Sequence, residues 1–232
     1  MLEDILKTGL AQMEIEADSA AISSCRIYYD HLTEKNKVMN LTAISGEEES
    51  ARLHFLDSFA PLKFFDFDGK TVIDIGTGAG FPGLPIKLAC PGINLTLLDS
   101  SNKRVEFLRE VCERSGVAAK CIHARAEDCG LRREIYDFAV SRAVARLNVL
   151  CELCFPYVKV GGAFLALKGP ALADELEAAK NALKTLGGEL EVVYEYEIPE
   201  TELSHKIAVI RKIKPTPKNY PRKFAEIKKS PL

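Results

Sequence analysis

A glycine-rich segment directly after a short apolar run constrains the fold of this chain most strongly. Residues 71–83 read T-V-I-D-I-G-T-G-A-G-F-P-G. The apolar run is typical of a buried parallel strand that ends at Asp74. Gly76, Gly78 and Gly80 then remove Cβ atoms where a ligand's adenosine or carboxylate must approach the main chain closely. The segment therefore predicts a strand, turn and helix that bind a nucleotide-type cofactor.

Two cofactors, S-adenosylmethionine and NAD, are compatible with a loop of this kind. The segment from Gly78 to Gly83 satisfies the G-x-G-x-x-G fingerprint of dinucleotide-binding proteins. In that fingerprint the first glycine follows the strand directly, whereas here Gly76 already occupies that position and Phe81 crowds the place of the pyrophosphate. The carboxylate of Asp74 would repel a pyrophosphate, but it can meet the ammonium group of a methionine moiety, directly or through water. The loop therefore favours S-adenosylmethionine over NAD, and a glycine-rich turn without a ligand fits it less well.

Length and composition favour one main domain with appendages. The chain has 232 residues, of which 47% are hydrophobic, enough for one substantial core. We expect a cytoplasmic protein without a membrane partner, because the start M-L-E-D lacks the features of a signal peptide and no apolar run approaches the length of a membrane span. Seven cysteines indicate reduced thiols. Cys151 and Cys154 share one helical face without a second ligand pair, which favours buried thiols over a metal or redox site.

The charge is distributed unevenly. Eight basic residues and one acidic residue between Arg211 and Leu232 give that segment a charge of +7, which leaves −9 on the rest of the chain, since the total is −2. Such a tail can be a solvated terminus, or its apolar side chains can pack it onto the core. Tyr220 and prolines interleaved with the charges favour phosphate binding. We therefore expect a nucleic-acid substrate, with Arg222 and Lys223 as candidate contacts.

Hydrophobic periodicity divides the chain into three parts. Helical spacing predicts an N-terminal helical extension over residues 1–65. From Lys70 onward, short apolar runs alternate with helical segments, as in a parallel sheet covered by helices on both faces. We predict strands at 71–75, 94–99, 119–123, 136–141 and 162–167, and helices at 84–90, 102–115, 146–157 and 171–186. The runs at 189–198 and 205–213 lack a crossover helix and should pair antiparallel.

This pattern predicts an α/β core over residues 66–213, followed by a basic C-terminal tail over residues 214–232. The sheet should be Rossmann-like, seven-stranded and mostly parallel, with an antiparallel last strand. That is the arrangement of class I S-adenosylmethionine-dependent methyltransferases.

Polar residues follow several predicted strands, whose carboxyl ends should meet at one edge of the sheet. Asp99 is positioned to bind both ribose hydroxyls, unless it caps the helix that begins near Asn102. Ala126 and Glu127 could bracket an adenine, or lie in a surface turn. Arg142 ends the fourth strand, where the transferred methyl group would emerge, and is our candidate catalytic residue; the alternative is a surface ion pair.

The fourth strand also narrows the acceptor atom. Its sequence D-F-A-V-S-R-A-V-A lacks the Asn/Asp-Pro-Pro-aromatic signature of enzymes that methylate exocyclic amines. It also lacks a Pro-Cys nucleophile for attack on a pyrimidine carbon. Nitrogen 7 of guanine presents a free lone pair, so its methylation needs an in-line approach and electrostatic tolerance rather than a general base. The sparse site is consistent with that atom.

Together these motifs resemble the RsmG (GidB) family, bacterial methyltransferases that modify nitrogen 7 of guanosine 527 in small-subunit ribosomal RNA. The motifs are N-L-T-A-I at 40–44, H-F-L-D-S at 54–58, D-I-G-T-G-A-G-F-P-G at 74–83, L-D-S with K-R at 98–104, R-A-E at 125–127, S-R-A-V at 141–144, L-K-G at 167–169 and the terminal Y-P-R-K…K-K-S-P-L. The tail departs from the family at 224–227, where F-A-E-I replaces the usual glycine and proline.

The resemblance implies cofactor contacts that agree with the residues singled out above. S-adenosylmethionine would be contacted by Gly76, Phe81, Ala126, Glu127 and Arg142. The implied substrate is 16S rRNA, as free RNA, as a 30S subunit or as an assembly intermediate, and the implied enzyme is a monomer without a metal.

Further residues of the family motifs remain open in their roles. Arg104 and Lys168 are weaker candidates for RNA contact. His54 and Asp57 could contact RNA or anchor a helix to the core. Two other functions also remain: a nucleotide-binding or rRNA-docking protein without turnover, and an NAD-dependent oxidoreductase.

Overall fold

Seven strands form one sheet in the order β3-β2-β1-β4-β5-β7-β6. A computed structural model describes residues 1–128, 130–142 and 144–232 of the chain. The strands are β1 Thr71–Ile75, β2 Asn94–Asp99, β3 Lys120–His123, β4 Tyr136–Arg142, β5 Val158–Lys168, β6 Gly188–Glu197 and β7 Ser204–Lys212. Strands β1 to β5 pair in parallel, and β7 runs antiparallel to both of its neighbours. The predicted mostly parallel, seven-stranded sheet is therefore confirmed.

Helices cover both faces of this sheet. They are α1 Leu2–Gln12, α2 Ser19–Met39, α3 Glu47–Glu49, α4 Asp57–Phe59, α5 Gly83–Ala89, α6 Asn102–Arg114, α7 Leu147–Cys154, α8 Leu172–Leu186 and α9 Phe224–Lys229. A π-helical stretch, Ser50–Leu56, joins α3 to α4, and the 3₁₀ turn Ala60–Lys63 follows. α7 ends earlier than predicted because Pro156 has no amide hydrogen to continue the helical hydrogen bonds, although Phe155 before it is still helical. α9 was not predicted.

The N-terminal helices pack directly on one face of the sheet. Leu6 of α1 and Tyr28 of α2 are fully buried in the same apolar cluster as Val72 and Leu97 of the sheet. The hydroxyl of Tyr28 donates a hydrogen bond to the carbonyl of Ala79, which ties α2 to the glycine loop. The N-terminal helices thus form one layer of the fold and support the loop after β1.

The basic tail packs on the opposite side. Ile227 of α9 is fully buried in the cluster formed by α7, α8 and that face of the sheet. Arg222 donates to both carboxylate oxygens of the fully buried Glu152, at 2.8 and 2.6 Å. Arg133 donates to the carbonyl oxygens of Thr216 and Tyr220. Apolar side chains therefore pack the tail onto the core, and phosphate binding by its exposed cations stays a prediction.

The six cysteines within the described residues are free thiols, and Cys129 lies outside those residues. Cys151 and Cys154 are fully buried, as predicted, and burial raises the pKa of both thiols. Within residues 1–128, 130–142 and 144–232, no group of three or more His, Cys, Asp or Glu side chains could hold a metal ion. None of the helices described there has the length and apolar character needed to cross a membrane.

Candidate cofactor and RNA site

The glycine loop connects β1 to α5 with three residues in the left-handed region. The φ angles of Gly76, Gly78 and Gly80 are +70°, +61° and +106°. A Cβ at Gly80 would lie 2.5 Å from the hydroxyl oxygen of Tyr28 and 2.8 Å from Cδ2 of Leu108. Among the residues that the structure describes, the nearest atom to a Cβ at Gly78 would be the carbonyl oxygen of Gly76, at 3.9 Å. All three backbones therefore favour glycine, but Gly80 is also closely packed against the core, whereas Gly78 borders open space.

Asp74 lies fully buried beneath this loop. Its Oδ2 accepts hydrogen bonds from Thr77 Oγ1 and from the amide of Gly83, both at 2.8 Å. Its Oδ1 has no hydrogen-bond partner among the described residues. Burial raises the pKa of this carboxyl to about 6. Asp74 thus holds the loop and the first residue of α5, and contact of Oδ1 with the cofactor's ammonium group stays a prediction.

Asp99 lies at the carboxyl end of β2 and is almost fully buried. Its Oδ2 accepts from the amide of Gly78 at 2.9 Å, and its Oδ1 accepts from the amide of Ser101 at 2.8 Å. Arg104 approaches Oδ2 at 3.6 Å. The N-cap position of α6 is occupied by Ser101, not Asp99, and the Ser101 side chain makes no capping hydrogen bond. Asp99 therefore couples the two loops at this edge, and ribose binding by Asp99 stays a prediction.

A cleft of about 390 Å³ lies beside the glycine loop at the carboxyl edge of the sheet. Its wall includes Gly76, Gly78, Phe81, Asp99, Arg104 and Arg142. Ala126 and Glu127 lie along the same edge, in the 3₁₀ turn Ala126–Asp128 after β3. The carbonyl of Ala126 accepts a hydrogen bond from the hydroxyl of Tyr157. Of the predicted cofactor residues, Gly76, Gly78, Phe81, Asp99 and Arg142 thus line the cleft, whereas Asp74, Gly80, Ala126 and Glu127 do not.

Arg142 ends β4 and forms a buried ion pair. Its Nη1 donates to Asp57 Oδ2 at 2.5 Å and to the carbonyl of Leu53 at 3.1 Å. Its guanidinium carbon lies 5.3 Å from the centre of the Phe81 ring. The exposed fractions of the two charged side chains are only 14% for Arg142 and 3% for Asp57. The alternative of a surface ion pair is therefore wrong, because the pair is enclosed.

Asp57 binds three side chains from three parts of the fold. While Oδ2 faces Arg142, Oδ1 accepts from the hydroxyl of Tyr196 and from Nδ1 of His205, each at 2.7 Å. Burial opposes ionisation of Asp57, but the hydrogen bond from His205 and the charge of Arg142 outweigh it and hold its pKa below the usual value. The anchor interpretation of Asp57 is thus observed. Sequence reasoning missed Tyr196 and His205, since β6 and β7 reach the site only through antiparallel pairing.

His54 also belongs to this network around Arg142. Its ring stacks on Phe81 with centroids 4.3 Å apart and an angle of 6° between the planes. Nε2 lies 2.8 Å from Thr42 Oγ1, and Arg142 Nη2 lies 3.4 Å from Nδ1. Burial, together with the charge of Arg142, lowers the pKa of His54 to about 3. The imidazole is therefore neutral near pH 7, and because Arg142 can only donate, Nδ1 accepts and Nε2 carries the proton.

A second cavity of about 680 Å³ adjoins the cleft. The two share His54, Arg142 and Val144 in their walls. Apolar side chains such as Leu53 and Leu203 line much of the second cavity. The shared wall places Arg142 between the cavities.

Lys168, a candidate RNA contact, lies in the wall of this second cavity. Its Nζ donates to the carbonyl of Ala145 at 2.6 Å and to Glu175 Oε2 at 2.7 Å. Its exposed fraction is 7%. Lys168 therefore fastens the ends of β5 and α8 near the cavity, and direct contact with RNA stays a prediction.

The basic segment 211–232, which comprises the end of β7 and the tail, provides two different kinds of cation. Arg222 is engaged by Glu152, and Lys212 is fully buried and donates to the carbonyl of Phe155. Five lysines are exposed and have no carboxylate within ion-pair distance among the residues that the structure describes: Lys214, Lys218, Lys223, Lys228 and Lys229. Of the two predicted tail contacts, Lys223 is thus free to reach a phosphate, whereas Arg222 holds the tail in place.

Known proteins resemble this chain along its whole length. The family model described as "rRNA small subunit methyltransferase G" matches residues 21–204. A protein of Alkaliphilus oremlandii named ribosomal RNA small subunit methyltransferase G is 49% identical, covering 100% of this chain and 99% of its own length. A protein of the same name from Clostridium perfringens strain 13 is 46% identical, covering 99% and 98%.

Solved structures share the fold at low sequence identity. M. jannaschii TYW2 in complex with AdoMet superposes with a TM-score of 0.53 at 16% identity, covering 68% of this chain and 73% of the other. The YcgJ protein of Bacillus subtilis superposes with a TM-score of 0.53 at 15% identity, covering 71% and 100%. At these identities the likeness extends to the fold alone, and it confirms the predicted sheet architecture.

Proposed function

The chain belongs to the rRNA small subunit methyltransferase G (GidB) family, and from that premise we propose that it transfers the methyl group of S-adenosylmethionine to nitrogen 7 of guanosine 527 in 16S rRNA. Membership in this family confirms the predicted family. It also confirms the prediction that the chain is an S-adenosylmethionine-dependent rRNA methyltransferase.

The observation that carries the proposal is the pair of adjoining cavities at the carboxyl edge of the sheet. One contains the glycine loop and Asp99, which suit the cofactor, and the other is a largely apolar space that suits a flipped base. They meet at His54 and Arg142, so a methyl donor in one can face an acceptor in the other. Holding two reactants in line across such a wall is the main contribution that a methyl transfer needs.

The charges at this wall suit an acceptor that has no proton to lose. Nitrogen 7 attacks the methyl carbon with its lone pair, the bond between sulfur and carbon breaks, and the positive charge moves from the sulfonium to the purine. No proton is removed. His54 stays neutral, and the charge of Arg142 is balanced by Asp57, so neither side chain has to act as a general base. We assign Arg142 to orientation of the reactants at the shared wall.

The RNA is expected to approach over the same edge and over the exposed lysines of the tail. Lys223 and Arg104 are solvent-accessible cations that could reach phosphates, whereas Lys168 and Arg222 are engaged within the protein. The proposed substrate is 16S rRNA, free, in the 30S subunit or in an assembly intermediate, and the proposed enzyme is a cytoplasmic monomer. We propose residues 66–213 as its catalytic core, with residues 1–65 as a helical extension and 214–232 as the tail.

Methyl transfer with product analysis tests the proposal. Purified protein is incubated with methyl-labelled S-adenosylmethionine and either isolated 16S RNA or 30S subunits, and the nucleosides are separated after digestion. Label in 7-methylguanosine is expected, together with a pH–rate profile that lacks a limb from an essential base near neutrality. Label on an exocyclic amine or a pyrimidine carbon would refute the assignment. Cofactor binding without transfer would favour a docking protein, and calorimetric binding of NAD instead would favour an oxidoreductase.

A further inference from the structure

Asp57 is the buried carboxylate that faces Arg142, beside the wall that the two cavities share. Its Oδ2 lies 2.5 Å from Arg142 Nη1, and its Oδ1 is held by Tyr196 and His205 at 2.7 Å. Asp57 is almost completely enclosed and lies on α4, outside the sheet that carries the loop. The four side chains are thus fixed as one unit against the wall of the cofactor cleft.

The reaction places a positive charge in this cleft throughout. S-adenosylmethionine carries a sulfonium, and the product purine is cationic once the methyl group has moved. An arginine in the wall would repel both charges. Two unit charges about 8 Å apart at an effective dielectric constant of about 20 repel strongly enough to weaken binding by roughly tenfold or more. The site therefore needs a counter-charge for Arg142.

We propose that Asp57 is a positioning residue that neutralises Arg142, so that the cleft accepts a cationic cofactor, and that it holds the guanidinium over Phe81. This inference rests on the proposed use of S-adenosylmethionine. Tyr196 and His205 donate hydrogen bonds to Oδ1 of Asp57 and leave Oδ2 directed at Arg142. The carboxylate is favoured as an anion, as the balance of charge requires, because these hydrogen bonds and Arg142 lower its pKa despite burial.

Comparison of two ligands that differ in charge separates this role from a merely structural one. S-adenosylhomocysteine is a neutral thioether of nearly the same shape as S-adenosylmethionine. In Asp57→Asn the dissociation constant for S-adenosylmethionine should rise roughly tenfold more than that for S-adenosylhomocysteine. Sinefungin, which carries an ammonium group in place of the sulfonium, should follow S-adenosylmethionine. A loosened cleft without an electrostatic change would weaken all three ligands equally.

Glu152→Gln is the matched control. Glu152 is also a buried carboxylate that faces an arginine, Arg222, but it lines neither cavity. The same chemical change there should leave the ratio of the two dissociation constants at its wild-type value. The double variant Asp57→Asn with Arg142→Met removes both charges and should return the ratio toward wild type.

If Asp57→Asn does not fold, the single variant Arg142→Met still tests the inference. It leaves the carboxylate without its cation, so preference for the charged ligand should increase. The inference is overturned if Asp57→Asn weakens both ligands by the same factor, or if folded Arg142→Met keeps the wild-type ratio. A wild-type protein that binds neither ligand would overturn the proposed function and this inference with it.

Discussion

Gly80→Ala should destabilise the protein by about 3 kcal/mol. The backbone φ of +106° at Gly80 is strained for any residue with a Cβ, at a cost of about 1–2 kcal/mol. The new methyl would lie 2.5 Å from the Tyr28 hydroxyl and 2.8 Å from Leu108 Cδ2. Tyr28 cannot simply move away, because its hydroxyl donates to the Ala79 carbonyl, and Leu108 is fully buried. Overpacking of this kind costs about 1–3 kcal/mol more.

Equilibrium unfolding in urea measures this cost, and Gly78→Ala provides the comparison. Gly78 has a similar positive φ of +61°, but its side-chain direction is open, so only strain of about 1 kcal/mol is expected. Its methyl would instead project into the cofactor cleft and should weaken S-adenosylmethionine binding, measured by calorimetry. Equal losses of unfolding free energy in the two variants would show that close packing adds nothing to the cost at Gly80. So would an unchanged cofactor affinity in Gly78→Ala.

Three further results are expected. Arg222→Ala should cost about 3 kcal/mol in urea unfolding, because it leaves the buried carboxylate of Glu152 unpaired; a loss below 1 kcal/mol would contradict the role of Arg222. Replacing Lys228 and Lys229 by Gln should keep the fold and flatten the log–log salt dependence of RNA binding by about 0.7–0.9 per lost phosphate contact, and an unchanged slope would contradict RNA contact by these lysines. Asp74 has a folded pKa of about 6, raised by burial, so its stabilising contribution is complete below about pH 4 and is lost as the pH rises through 6. The unfolding free energy of Asp74→Asn relative to wild type should therefore rise by about 2 kcal/mol from pH 4 to 7, and a pH-independent difference would be inconsistent with a raised pKa.

The sheet was predictable from sequence because local patterns determine it. Alternating apolar runs and helical segments indicate βαβ units, and the absence of a crossover helix before residues 205–213 indicates antiparallel pairing. Both predictions agree with the observed order. The N-terminal helices were also predictable as helices, but their position was not. Their apolar faces show only that each must be buried, and the contact of Tyr28 with the glycine loop depends on tertiary packing.

The site was predictable in part for the same reason. Gly76 follows β1, and Asp99 and Arg142 end β2 and β4; the ends of parallel strands share an edge, so their proximity followed from topology. The contacts of Asp57 did not follow from topology, because its partners Tyr196 and His205 lie about 140 residues further along the chain. They have no local signature of their own. The sequence also could not show which lysines and arginines pair with carboxylates inside the protein, because the residue type is the same whether the side chain faces RNA or a buried carboxylate.

Methyl transfer to 30S subunits of defined sequence shows whether guanosine 527 is the acceptor. The substrates are 30S subunits from cells that lack this methyltransferase, one set with guanosine 527 intact and a matched set in which that guanosine is replaced by adenosine. With methyl-labelled S-adenosylmethionine, the account predicts label as 7-methylguanosine in the first set and none in the second. Equal labelling of both sets, or label in a nucleoside other than 7-methylguanosine, would contradict it.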